Sequence, residues 1–229
     1  MRTSLLNWLG WEFVSLSCEA RGGGSAREQA QEAFEQCRQE LKKYGLSLND
    51  TVRSRIWSKD RASRDESSKV RVEVLSGPAR AASSSFTAPD HFYTDAAVGY
   101  DVIAVRPRPG IKKVIRENEP PRIPILYMTL GPLLFLSGQT AVLPTLELQV
   151  TTNILPRITE YLAEAKSGWD RVVNVSCYLN RSQSPEELRR LFRKMVPIEP
   201  PRFEIVTYIE GYSAEGKLVE IEVTATRDA

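Results

Sequence analysis

Histidine is nearly absent from this chain of 229 residues. His91 is the only one, which excludes a histidine-rich zinc site and makes a Ser-His-Asp triad depend on that single residue. The three cysteines, Cys18, Cys37 and Cys177, are far apart and form no CxxC pair. They predict neither a disulfide framework nor a metal site. Any chemistry must therefore come from other side chains, backbone groups and water.

Long apolar runs and an excess of one charge are missing as well. No run approaches the roughly 18–20 residues that a membrane span needs, and the apolar stretch 4–9 is too short for the core of a signal peptide. Lysine and arginine number 31 against 29 aspartates and glutamates, a net charge of +2. This balance gives no general attraction to nucleic acid or to an anionic membrane. We expect a cytoplasmic protein with neither as a partner.

What the sequence does contain is an internal repeat with a period of 120 to 122 residues. Each copy has an apolar run that ends in Leu-Ser, an aspartate 33 residues later, a proline-arginine turn and a last strand of alternating polarity. The landmarks of the two copies, in order, are Ser17, Asp50, Arg80 and 98–104, and Ser137, Asp170, Arg202 and 219–225. Four landmarks in one order at nearly fixed spacing indicate a duplicated unit.

Helix signals recur at corresponding places in the two copies. Ser25 and Glu28 form a capping box ahead of the first helix of the first copy. The matching helix of the second copy contains Pro156, which predicts a kink or a helix that starts near it. Ser184 begins a second helix there, whereas its counterpart after Ser63 fits a strand as well as a helix.

These signals predict an α+β fold of two tandem domains, each a mixed β-sheet with two helices packed on one face. We assign the domains to 1–106 and 127–229. The segment 107–126 has five prolines, which predict a stiff extended connector. In the last strand Glu220 and Glu222 point away from the apolar residues. Their face is therefore not covered by helices, and it meets either solvent or an interface.

The string Gly131–Gln139 (GPLLFLSGQ), the later Pro201-Arg202 and the run 219–222 (VEIE) resemble the RidA/YjgF family, small enamine/imine deaminases also described as endoribonuclease-like. The second copy matches over nearly its whole length, and the first resembles a diverged copy. The resemblance implies a chorismate-mutase-like fold that trimerises, with clefts between subunits that bind small carboxylates and need no cofactor. Three chains of two units supply six units, which predicts a trimer with pseudo-hexameric packing.

The resemblance also implies roles for residues of the second copy. Arg202 matches the arginine that grips a substrate carboxylate, a role that suits the planar, bidentate guanidinium. Glu220 matches the acid that positions water or handles a proton. Ser137 and Gly138 match the pair that lines the cleft, so Glu220, Arg202 and Ser137 are the candidate catalytic residues and Gly138 a substrate-binding one. No residue is assigned to a metal.

The first copy retains only part of this set. Ser17 and Arg80 stand at matching positions and are candidate substrate-binding residues. Cys18 replaces the glycine, and Gly99 stands where the glutamate would be. Asp101 matches the next acidic residue of the second copy on the same strand face. We expect the first copy to serve as a scaffold.

Three functions fit these observations. The first is an enzyme that hydrolyses a small carboxylate-bearing imine or enamine, with Arg202 holding the substrate and Glu220 as general acid and base. The second is a specialised biosynthetic enzyme of the same fold that acts on an imine- or enol-containing intermediate. The third is a non-catalytic small-ligand-binding or interaction protein. The presence of both Glu220 and Arg202 favours the first two.

Overall fold

The structure, a computed structural model, describes residues 1–228. The chain divides into two compact units, the first Met1–Lys112 and the second beginning at Lys113. Each unit has its own sheet, helices and apolar core. In residues 1–228 no helix has both the length and the apolar character that a membrane crossing requires.

The first unit is a five-stranded sheet with two helices. Its elements are β1 (Arg2–Trp8), β2 (Trp11–Glu19), α1 (Ala26–Lys43), β3 (Thr51–Ser58), α2 (Arg61–Val74), β4 (Ala82–Thr87) and β5 (Val98–Val105). The strand order is β1-β2-β5-β3-β4, in which only the β3–β4 pair is parallel. Strand β1 forms an antiparallel hairpin with β2 at one edge of the sheet.

Helix α1 begins at the capping box that its sequence predicts. The Ser25 hydroxyl accepts the amide of Glu28, and the Glu28 carboxylate accepts the amide of Ser25 at 2.7 Å. The helix ends ahead of Gly45, whose φ of +67° favours glycine. On its buried face the Phe34 ring lies 4.2 Å from the ring of Tyr100 in β5. This contact fixes the helix on the sheet.

Helix α2 resolves the ambiguity after Ser63. The helix starts earlier, because the Asp60 carboxylate caps it by accepting the Ser63 amide at 2.8 Å. Val70 is fully buried whereas Val72 is exposed. The buried positions follow helical spacing, so the helix prevails over the strand that the alternating valines also fit.

The second unit is a six-stranded sheet. Its elements are β6 (Lys113–Arg116), β7 (Tyr127–Leu130), β8 (Leu133–Leu136), α3 (Leu146–Leu148), α4 (Leu155–Glu164), β9 (Val172–Asn180), α5 (Pro185–Met195), β10 (Phe203–Ile209) and β11 (Val219–Thr226). The order is β10-β9-β11-β8-β7-β6, and only β9 and β10 run parallel.

The middle part of the predicted extended connector 107–126 is a strand. Lys113–Arg116 pairs antiparallel with Tyr127–Leu130 and forms the edge strand of the second sheet. The five prolines lie on either side of this strand and none lies in it. Its amides therefore remain able to donate to β7, and an edge position tolerates prolines in the flanking chain.

The helix with Pro156 contains the predicted irregularity. A wide π turn, Gln149–Ile154, joins α3 to α4, and Pro156 lies in the first turn of α4. Proline has no amide donor and its ring clashes with the carbonyl four residues earlier. The wider turn directly ahead of it accommodates both defects.

The two faces of the second sheet differ as the sequence predicts. Cys177, Ile221 and Val223 belong to the apolar core under the helices. Glu220 and Glu222 lie on the other face, yet they are only 5% and 1% exposed. At these two positions the face does not meet solvent.

Candidate functional site

The Ser-Gly pair of the second unit lies directly after β8. Ser137 is buried, and its amide donates to the carbonyl of Leu126 at 3.1 Å. Gln139 forms an isolated bridge with Ile221, each amide donating to the other carbonyl at 2.9 and 3.0 Å. The turn at Gly138 is therefore fixed beside β11, the strand of the two glutamates.

Glu220 and Glu222 lie in successive rows of that strand's outer face. Glu220 pairs with Tyr178 of β9, and Glu222 pairs with Ser176. The Tyr212 hydroxyl donates to the Tyr178 carbonyl at 2.8 Å. Burial, and to a smaller extent the charge of Glu220, raises the pKa of Tyr212. The Glu220 carboxylate is thus within electrostatic reach of a buried phenol.

Arg202 stands immediately before β10, which is the edge strand of the sheet beside β9. Its side chain is 68% exposed, and its Nε donates to the Glu204 carboxylate at 2.8 Å. Strands β9 and β11 separate β10 from β8, which is roughly 14 Å at the usual strand spacing. Within one unit, Arg202 therefore does not meet Ser137 and Gly138.

In the first unit a polar row crosses the sheet at Ser17. Ser17 pairs with Asp101, which pairs with Arg55, which pairs with Ser84. The Asp101 carboxylate accepts the Trp57 indole N–H at 2.8 Å and lies 3.9 Å from Nη1 of Arg55. Asp101 therefore has fixed partners, whereas Gly99 contributes no side chain to the adjacent row.

Strand register decides which residue of the first unit corresponds to Arg202. Ser84 and Glu204 hold equivalent places, because each is two strands away from the acidic residue of its last strand. Two residues before Glu204 is Arg202, and two before Ser84 is Ala82. Arg80 is thus offset by two residues from the predicted equivalence, because spacing counted across a loop does not fix sheet register.

His91 lies in a short turn, Pro89–His91, and stacks on Trp57 with ring centroids 3.9 Å apart and planes 7° from parallel. Burial lowers the pKa of its imidazole below the ordinary 6.5, and the charge of Asp101 opposes this shift to a smaller extent. The folded protein therefore favours the neutral ring.

We expect His91 to lower the stability of the folded protein in acid. Below about pH 6.5 the unfolded chain takes up a proton more readily than the folded protein, so the free energy of unfolding falls as the pH falls. His91→Gln removes the only histidine of the chain. Urea unfolding at pH 7.5 and 5.5 should show a smaller loss for the variant. Parallel losses in both proteins would contradict this prediction.

The three cysteines are free and buried. The Cys18 thiol donates to the Gln36 side chain at 3.3 Å. A hydrogen bond with Cys37 lowers the pKa of Cys18, while the same contact and burial raise the pKa of Cys37. In residues 1–228 no three histidine, cysteine or acidic side chains come together as metal ligands.

A cavity of about 550 Å³ in the second unit borders Gly138. Its lining also contains three cations and several neutral polar groups, among them Arg122, Arg157, Lys217, Gln139, Thr140, Tyr161 and Ser213. Among the described residues, its lining includes neither Arg202 nor Glu220. Of the predicted site residues, the structure thus brings only Gly138 to this cavity.

Gln149, in the π turn, fixes one wall of the cavity. Its side-chain amide donates to the carbonyls of Leu143 and Gly216 at 2.8 and 2.6 Å, and its oxygen accepts the amide of Leu218 at 2.9 Å. The turn that carries Lys217 is thereby held to the helix. Sequence analysis missed Gln149, and the available signal was a polar residue at the start of an apolar helical stripe.

No family model and no curated protein matches the chain. Among solved structures, a chorismatase is similar over 98% of this chain and 79% of its own, with 16% identity and a TM-score of 0.64. YjgF-family proteins from Mycobacterium tuberculosis and Neisseria meningitidis are 22% and 20% identical, both with a TM-score of 0.45. They cover 50% and 52% of this chain, and 99% and 97% of their own.

The likeness to the chorismatase extends over both units and shows the fold of the whole chain. The predicted α+β fold of two tandem domains is confirmed. Members of the YjgF family are among the structural neighbours.

Proposed function

We propose that the protein is an enzyme that hydrolyses a small carboxylate-bearing imine or enamine. The observation that carries the proposal is the burial of Glu220 on the outer face of the second sheet. There Glu220 is 5% exposed, and the bridge between Gln139 and Ile221 fixes the Ser137–Gly138 turn beside the same strand. A positioned carboxylate can move a proton. The backbone amides of a nearby turn can stabilise a developing negative charge.

The reaction needs only water and a proton relay. The carbon of a protonated imine is electrophilic, so water adds to it and a C–O bond forms. Glu220 takes a proton from the attacking water and returns it to the nitrogen. The C–N bond then breaks while the new hydroxyl gives its proton to Glu220, so ammonia and a 2-oxo acid are released and the proton passes from Glu220 to the solvent. An enamine enters the same route after protonation at carbon.

Arg202 would hold the substrate carboxylate. Its present partner, Glu204, is 45% exposed, and such a surface ion pair contributes little free energy. A substrate carboxylate can therefore replace Glu204 and form a bidentate pair. Because β9 and β11 lie between Arg202 and β8, we propose that Arg202 completes a cleft with the Ser137–Gly138 turn of a neighbouring subunit.

That cleft requires an oligomer, for which we propose a trimer with pseudo-hexameric packing. Light scattering should then give three times the chain mass of 25.8 kDa. A stable monomer would contradict the shared cleft.

Ammonia release tests the function. The substrate is an imine that an amino-acid oxidase generates in the assay. We expect wild-type protein to accelerate the release, and Arg202→Ala to lower kcat/KM at least tenfold, since a charge-assisted pair is lost. Arg190→Ala is the matched control, because Arg190 is an exposed arginine of α5 that pairs with Glu187. Equal rates for wild type and Arg202→Ala would remove Arg202 from the site.

A second candidate is an enzyme that acts on an enol-containing intermediate. The likeness to a chorismatase over 98% of the chain favours it. Incubation with chorismate, followed by chromatography of the products, separates the two candidates. Consumption of chorismate without ammonia release from imines would favour the second. Turnover of neither would favour the third reading, a non-catalytic ligand-binding protein.

A further inference from the structure

We propose that the cavity beside Gly138 binds small organic acids that carry two carboxylate groups. This inference deepens the proposed function. It rests on that function in one respect, namely that Gly138 borders both the proposed cleft and this cavity. It adds a substrate class, a dicarboxylate, and a set of binding residues outside the predicted ones.

The charged side chains that line the cavity are all positive. Arg122, Arg157 and Lys217 line the cavity, and no aspartate or glutamate of the described chain does. A concave site lined by charges of one sign concentrates the potential and attracts ions of the opposite sign. The whole chain, in contrast, has a net charge of only +2. The cations are therefore a local feature of this cavity.

The Arg157 guanidinium is held by neutral partners only, and two of its contacts are long. It lies on α4, and its Nη1 is 3.5 Å from the side-chain oxygen of Gln139 and 3.5 Å from the carbonyl of Thr140, while Nη2 donates to Asn153. All three partners are neutral, and the two bonds of Nη1 are long. A carboxylate forms shorter, charge-assisted bonds with a guanidinium. It would therefore displace the two long contacts.

The placement of the cations points to more than one acid group. Arg157 is on α4, Lys217 is in the turn before β11, and Arg122 is in the segment before β7. Three positive charges from three elements line one cavity, and a single carboxylate balances only one of them. A volume of about 550 Å³ lies in the range of small-molecule sites. Thr140, Tyr161 and Ser213 offer neutral hydrogen bonds between the charges.

Isothermal titration calorimetry tests the inference on the full-length protein with three probes, namely 2-oxoglutarate, pyruvate and inorganic phosphate. We expect 2-oxoglutarate to bind at least tenfold more tightly than pyruvate or phosphate. Arg157→Gln and Lys217→Gln should each weaken the binding of 2-oxoglutarate at least tenfold and leave the binding of pyruvate nearly unchanged. Arg190→Gln, the same type of substitution on exposed α5, should change neither.

Three results would overturn the inference. They are pyruvate or phosphate binding as tightly as 2-oxoglutarate, no binding of any probe, and both cavity variants binding like wild type. Circular dichroism checks that the variants fold, and Lys217→Gln alters a side chain of a surface turn. Ammonia release by a wild-type protein that does not bind 2-oxoglutarate would overturn the dicarboxylate site alone. Tight 2-oxoglutarate binding by a wild-type protein that releases no ammonia from imines would overturn the proposed function alone.

Discussion

Glu220→Gln should lower kcat for imine hydrolysis by about a hundredfold or more, the usual contribution of a positioned general acid and base. Glutamine has nearly the same shape, but it cannot take up the proton of the attacking water or return it to the nitrogen. Because Glu220 is buried in β11, the substitution changes the chemistry of a fixed position rather than a mobile surface group. Steady-state ammonia release as a function of pH measures the effect.

The pH profile separates a catalytic role from a structural one. Loss of a titrating base removes the acidic limb of the profile, whereas a general loss of folded protein scales the whole curve. Glu187→Gln is the control, since Glu187 is an acid on α5 that pairs with Arg190 at the surface. Wild-type turnover in Glu220→Gln would exclude Glu220 as the proton carrier.

Gln149→Leu should lower the free energy of unfolding by about 3 kcal/mol, because it leaves buried backbone groups without their hydrogen bonds. The Gln149 side chain is fully buried and serves the amide of Leu218 and the carbonyls of Leu143 and Gly216. Leucine fills a similar volume, so the loss reports hydrogen bonding more than a cavity. Urea unfolding measures the change.

The same substitution should weaken the binding of 2-oxoglutarate, because Gln149 holds the turn that carries Lys217. Gln31→Leu is the matched control, because Gln31 is exposed on α1, where such a change alters stability by at most about 0.5 kcal/mol. A Gln149→Leu protein as stable as Gln31→Leu would show that the three hydrogen bonds contribute nothing net. Unchanged 2-oxoglutarate affinity would show that they do not position Lys217.

Features encoded by neighbouring residues could be predicted well. The capping box at Ser25 and Glu28 forms as its spacing requires, and Ser184 begins α5. Alternation along β11 separates Glu220 and Glu222 from the core face. These are effects of helical and strand periodicity within a few residues, so the sequence contains all the information they need.

Features that depend on pairing across the sheet could be predicted only in part. Strand β6 lies inside a proline-rich segment, and it forms because β7 offers an edge to Lys113–Arg116. Arg80 matches Arg202 in sequence, yet the register of β4 puts Ala82 at that place. A loop can absorb two residues without changing the strand pairing, so distance along the chain does not report position in the sheet.

The sequence by itself determined a duplicated α+β unit, its helices and an acidic strand face. Tertiary structure alone decided that two strands separate Arg202 from Gly138, and that Arg122, Arg157 and Lys217 line one cavity. The physical reason is that these groups come from elements far apart along the chain. Only the packing of helix α4, the sheet and the turn held by Gln149 brings them together, and no local pattern encodes that packing.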